Sequence, residues 1–194
     1  MSVVVGIKDG GVVYLGADTQ TTIGSNRQQH SLNEVGYKIH RFENGILFGA
    51  CGSVQTTQVL LANLEIFTLD ENGKLTKSWI VKEIIPKMRK ILKDAKLLDE
   101  DGAMENSFVL AHGDKAYCVY ARFRVVARND TLSIGAGRGA ALYALNQTDI
   151  QKTVRERLIE SMEMSAQLVD SISAPYILID TKNLEFEIVQ GGKR

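Results

Sequence analysis

Four residues near the start of the chain could do chemistry together: Ser2, Asp18, Lys38 and Gly49. Removal of Met1, which the small side chain of Ser2 permits, would leave a hydroxyl and a free α-amine on one residue. An α-amine has an ordinary pKa of about 8, far closer to neutrality than a lysine side chain. It can take the proton from a hydroxyl held beside it, directly or through a water. Such a pair needs no histidine, and His30, His40 and His112 are scattered without a catalytic context. Met-Ser is also a common start, so these two residues alone do not distinguish the cases. Asp18 closes the run VVYLGAD and would lie beside the first strand if the two runs pair as a hairpin. Lys38 interrupts the apolar stretch VGYKIHRF. A strand lysine ordinarily sits at an edge or faces solvent. Buried beside an amine and a hydroxyl, it would instead stabilise an alkoxide and lower neighbouring pKa values, with Asp18 holding it charged. FGACGS puts Gly49 at a strand-to-helix junction, where an exposed N–H could donate to an oxyanion. Gly49 and Gly52 equally fit a tight turn before a helix.

The elements that must hold these groups read as strands in hairpins and helices in pairs. VVVGIK (3–8) and VVYLGA (12–17) flank a DGG turn and predict a hairpin that begins at once, with nothing flexible ahead of it. The polar stretch 18–34 reads as a loop. Residues 35–42 and 46–50 predict a second hairpin, and 106–112 with 116–121 a third, which 123–128 extends. Helix-spaced apolar residues predict helices over 53–69 and 77–96, the second kinked by Pro86. SIGAGRGAALYAL (133–145) passes from a strand through glycines into a helix. A further helix covers 149–170, with Asp149 as its N-cap, and 175–180 with 184–190 forms a closing hairpin. Antiparallel sheets covered by helical layers follow from this order, not a doubly wound fold.

Composition narrows the partners. Lys plus Arg and Asp plus Glu each number 23, which argues against nucleic acid or an anionic membrane as the main partner. No apolar run is long enough to span a bilayer, and Met1-Ser2 lacks signal-peptide character. Two cysteines, Cys51 and Cys118, fit a reducing cytoplasm better than a disulfide framework. No Cys/His cluster has zinc spacing, and neither metal nor cofactor is expected.

In this order and spacing the residues resemble β-type subunits of the proteasome and, more closely, HslV-type peptidases. Both are N-terminal-nucleophile hydrolases. The resemblance covers nearly the whole chain. It is strongest from Ser2 to Asp18 and on through Gln20, Thr22 and Gly24, and it continues at Lys38 and Gly49. IGAGRG (134–139) resembles the family's Gly-Ser-Gly turn, with Ala136 in place of the serine, and DSIS (170–173) resembles its Asp-x-x-Ser segment. The resemblance implies one domain over 1–194 with an α+β fold, a four-layer αββα sandwich of two antiparallel sheets. It implies Ser2 as nucleophile where the family has threonine, and Asp18 and Lys38 as the charged pair beside it. It further implies Gly49 N–H as the oxyanion site and Asp170 and Ser173 as supports of the amine. Thr22 would align a substrate backbone as an added strand, and Leu47 and Cys51 would line an apolar specificity pocket.

The activity so implied is hydrolysis of peptide bonds in peptides or unfolded protein, inside homo-oligomeric stacked rings. An ATP-driven unfoldase would be a separate partner, since the chain has no Walker-type loop. Two other readings keep the fold. One is a non-catalytic ring or scaffold subunit, favoured by Ala136 and by Met1 if it is retained. The other is an N-terminal-nucleophile amidase for small molecules, which needs neither unfoldase nor closed chamber. A buried Asp–Lys pair seldom adds stability over apolar residues, which favours a catalytic reason for it.

Overall fold

The computed structural model describes residues 2–23, 26–29 and 38–191, with the backbone alone for 21–23 and 26–29. β1 (Val3–Asp9) and β2 (Val12–Asp18) form a hairpin, followed by a small separate one of β3 (Gln20–Ile23) and β4 (Asn26–Gln29). β5 (Ile39–Arg41) and β6 (Leu47–Cys51) come next, then helix α1 (Val54–Leu61). α2 (Lys77–Trp79) runs through a widened turn at Ile80–Ile84 into α3 (Ile85–Asp94). β7 (Ser107–His112), β8 (Lys115–Tyr120), β9 (Arg124–Arg128) and β10 (Thr131–Gly135) precede α4 (Arg138–Gln147) and α5 (Val154–Leu168). β11 (Tyr176–Asp180) and β12 (Glu187–Val189) close the chain.

Two five-stranded antiparallel sheets result, in the orders β10-β1-β2-β11-β12 and β5-β6-β7-β8-β9. Alternation along each strand sorts apolar side chains into three layers of core. Val4, Leu15, Leu47, Val109 and Ile134 meet between the sheets. Phe48, Phe67, Phe108, Ile80 and Met88 pack the second sheet against α1 and the α2–α3 helix. Val3, Val5, Leu158 and Met162 pack the first sheet against α4 and α5. The architecture is therefore the expected αββα sandwich.

Several boundaries differ from the sequence reading, each for a local reason. The polar stretch after Asp18 contains β3 and β4, which pair only with each other in a two-stranded hairpin that joins neither five-stranded sheet. The first helix stops at Leu61, where the Asn63 side chain donates to the Val59 carbonyl at 2.8 Å and a 3-10 turn (Leu64–Ile66) takes over. Pro86 has no N–H to return to residue 82, and the preceding turn widens so that Ile85 N–H bonds the Ile80 carbonyl. α5 is capped by Thr153, not Asp149. Thr153 and Glu156 form a reciprocal capping box, whereas Asp149 accepts from Gln151 N–H in the turn before it. None of the described helices is long and apolar enough to cross a membrane.

Candidate active site

The β1–β2 register places Val4 opposite Ala17, so the chain just before β1 lies beside the end of β2. There the Val3 N–H donates to Asp18 Oδ1 at 2.9 Å. Lys38 donates to the other carboxylate oxygen at 2.5 Å and to the Gln20 carbonyl at 2.7 Å. The Lys38 backbone is itself fixed, since its carbonyl accepts from Ala50 N–H at 2.7 Å and extends the β5–β6 ladder by one residue. Asp18 is fully buried and the Lys38 side chain is only 9% exposed, so the pair lies inside the protein. Burial pushes the Asp18 carboxyl above its ordinary value of 3.8, while the Lys38 charge and the Val3 and Gln20 N–H groups pull it down. An ammonium has three N–H donors, and contacts among the described residues use two of them.

Ser2 is buried next to this pair. Its carbonyl accepts from Gly137 N–H at 3.3 Å. Gly135 lies still closer: φ is +93°, and a Cβ there would stand 2.2 Å from the Ser2 carbonyl oxygen and 2.8 Å from Cys51 Sγ. Only glycine fits that approach. The IGAGRG turn thus lies against residue 2. Ala136, the position where the resemblance loses a hydroxyl, is exposed on its outer side.

The other expected site residues divide. Cys51 is at the site end of β6, nearly fully buried, with Sγ 3.6 Å from the Ile134 carbonyl. Burial pushes its thiol up to about 12, so it stays protonated and is no nucleophile. Leu47 is four residues away along β6, about 13 Å at strand rise, and is fully buried between the sheets. It therefore lines no pocket at this site. Gly49 is also corrected. It lies inside β6, opposite Ile39 on one side and Val109 on the other. The Ala50–Lys38 hydrogen bond fixes the alternation, which turns the Gly49 N–H into the ladder with β7. Its missing side chain serves packing, since a Cβ would come within 3.1 Å of Val4 across the sandwich. The junction glycine is Gly52, exposed and with φ at +124°, directly before the α1 cap Ser53. A Cβ there would strike Asn106 at 2.8 Å. By the same alternation its N–H turns away from β7, to the side of β6 that carries Lys38. The sequence signal for it was adjacency to a helix-capping serine.

Asp170 is exposed and Ser173 half-buried, in the turn between α5 and β11. Ile172 from that turn reaches Gly137: a Cβ on Gly137 would meet Ile172 Cδ1 at 2.5 Å. Thr22 lies in β3 opposite Arg27, its side chain outside the described residues, as is Met1. Among the described residues no group of three or more His, Cys, Asp or Glu side chains could hold a metal ion.

No protein-family model and no curated protein matches the chain. Solved structures do. The BPH protein of Thiobacillus denitrificans is similar over 94% of this chain and 98% of its own, at 20% identity and a TM-score of 0.76. The same protein was solved in complex with epoxomicin, at 19% identity and a TM-score of 0.75. Eukaryotic HslV from Trypanosoma brucei covers 92% of this chain and 98% of its own length, at 15% identity and a TM-score of 0.66. Anbu, described as an ancestral β-subunit, from Yersinia bercovieri covers 97% and 87%, at 12% identity and a TM-score of 0.73. The sheet orders, the helical layers and these similarities agree: the chain has the proteasome-type N-terminal-nucleophile hydrolase fold.

Proposed function

We propose that this protein is a proteasome-like peptidase subunit whose nucleophile is Ser2, exposed by removal of Met1. The observation that carries the reading is the buried Asp18–Lys38 pair tied to the backbone N–H of Val3, the residue after Ser2. A structural role explains such a pair poorly, because desolvating both charges offsets most of their attraction. A chemical role explains it well: the remaining Lys38 N–H can hold the Ser2 hydroxyl and stabilise its alkoxide.

In this mechanism Ser2 Oγ attacks the peptide carbonyl and its proton passes to the Ser2 α-amine. The Gly52 N–H, in place of Gly49, stabilises the oxyanion. The amine then protonates the leaving nitrogen, an ester forms on Oγ, and water activated by the same amine hydrolyses it. Serine supplies the same hydroxyl as threonine and lacks only the methyl that restricts χ1. Thr22 on β3 fits backbone alignment of an extended substrate. Asp170 and Ser173 are proposed to support the amine from the turn after α5. Stacked homo-oligomeric rings, unfolded-protein substrates and a separate unfoldase belong to the same proposal, supported by the fold shared with HslV and BPH.

Hydrolysis of an unstructured fluorogenic peptide tests the reading. The Met1-free wild type should turn it over, Ser2→Thr should retain activity, and Ser2→Ala should have none. Turnover by Ser2→Ala equal to wild type would end the mechanism.

A further inference from the structure

The Ser2 carbonyl is held from behind by a chain of contacts that begins deep in α5. Ser165 and Ser161 are fully buried on the apolar face of that helix. Serine is a mediocre helix former, and a buried hydroxyl costs free energy unless it is bonded. The hydroxyl of Ser165 has two carbonyls in reach, Ser161 of its own helix at 2.9 Å and Gly137 at 3.2 Å. Its single proton is shared between them. The Gly137 carbonyl also accepts from Ala141 N–H at 3.0 Å, which starts α4. On the opposite side of the same residue, the Gly137 N–H donates to the Ser2 carbonyl.

Packing reinforces the bonds. A Cβ on Gly137 would stand 3.0 Å from Ser165 Cβ and 3.1 Å from Val3 Cβ, so glycine at 137 lets the turn wedge between α5 and β1. Gly135 presses on the Ser2 carbonyl from the next position but one. The N-cap of α4 carries no side-chain bond, in contrast to the serine and threonine caps of α1 and α5. Gly137 has given up the capping role for contact with residue 2.

We propose that the Gly135–Gly137 turn sets the position of residue 2, and that Ser165 is a positioning residue holding this turn through the Gly137 peptide. The inference rests on the peptidase reading, since the residue so placed is its nucleophile. A nucleophile shifted by a fraction of an ångström loses rate without losing substrate affinity.

The test is Ser165→Ala in the assembled protein, read by peptide hydrolysis and by amide exchange over 134–138. The expected result is a kcat lower by about tenfold with KM unchanged, together with faster exchange in that segment. Unchanged kcat, or unchanged exchange, overturns the proposal. A fall in kcat with a matching rise in KM and faster exchange everywhere also overturns it, because that is general loosening. Should Ser165→Ala fail to fold, Ser165→Cys keeps the volume, weakens the donor and carries the same test. Should the Met1-free wild type hydrolyse nothing, the peptidase reading fails, and the exchange measurement still decides whether Ser165 braces the turn.

Discussion

Two Lys–Asp pairs in this protein have nearly the same geometry and opposite surroundings. Lys38 meets Asp18 at 2.5 Å with side chains 9% and 0% exposed; Lys90 meets Asp94 at 2.8 Å with side chains 79% and 63% exposed. The exposed pair is an i,i+4 contact on α3, screened by water and salt. The buried pair joins β2 to the residue before β5 and holds the start of β1 through Val3. Contact distance therefore says little about importance. Burial decides how much either charge needs its partner.

The largest effect that would sharpen this contrast is loss of one buried partner. Lys38→Ala should cost about 3–5 kcal/mol in denaturant unfolding, because Asp18 is left buried and unpaired, and should abolish hydrolysis. Replacing both, Asp18→Leu with Lys38→Met, should recover most of that stability and none of the activity. Recovered activity in the double variant would break the distinction between structural and chemical roles.

A smaller effect is expected in the pH dependence. The folded pKa of Asp18 is raised, so between 3.8 and its folded value the folded chain binds a proton that the unfolded chain has released. Asp18 therefore makes stability fall as pH rises through that window, and Asp18→Asn should flatten the slope. Hydrolysis should respond in the opposite sense, failing as pH drops through the raised pKa, because the pair needs the carboxylate. An acid limb no higher than an ordinary carboxylate would contradict this. The smallest effect belongs to Lys90→Ala, which should leave both the melting temperature and kcat/KM within measurement scatter. A clear loss of either would show that exposure is a poor guide to these pairs.

The contrast also explains what the sequence could reveal. The hairpin of β1 and β2 was legible from its two β-branched runs and DGG turn, and it alone puts Asp18 beside residue 2. Lys38 stood out as a charge inside an apolar strand pattern. The sheet orders were less accessible, because β10 and β11 join β1 and β2 from far along the chain and local patterns carry no pairing partner. Gly49 was misread for a related reason. A glycine in FGACGS can serve sheet-to-sheet contact or a helix junction, and only the register with β5 and β7 assigns the first role to Gly49 and the second to Gly52. Leu47 shares the intersheet face of β6 with Cys51, yet strand rise carries it away from the site. Ser165 was invisible, since a serine in an amphipathic helix shows its partner only once Gly137 is packed against it.

The most direct measurement is an intact mass of the native protein after incubation with a peptide epoxyketone. That probe offers adjacent electrophilic carbons, one for a hydroxyl and one for an amine, so it reports both halves of the Ser2 group at once. The account predicts a chain lacking Met1 that gains one probe mass, and no gain in Ser2→Ala. A chain that keeps Met1 and gains nothing would contradict it, and would favour a ring or scaffold subunit with the same fold.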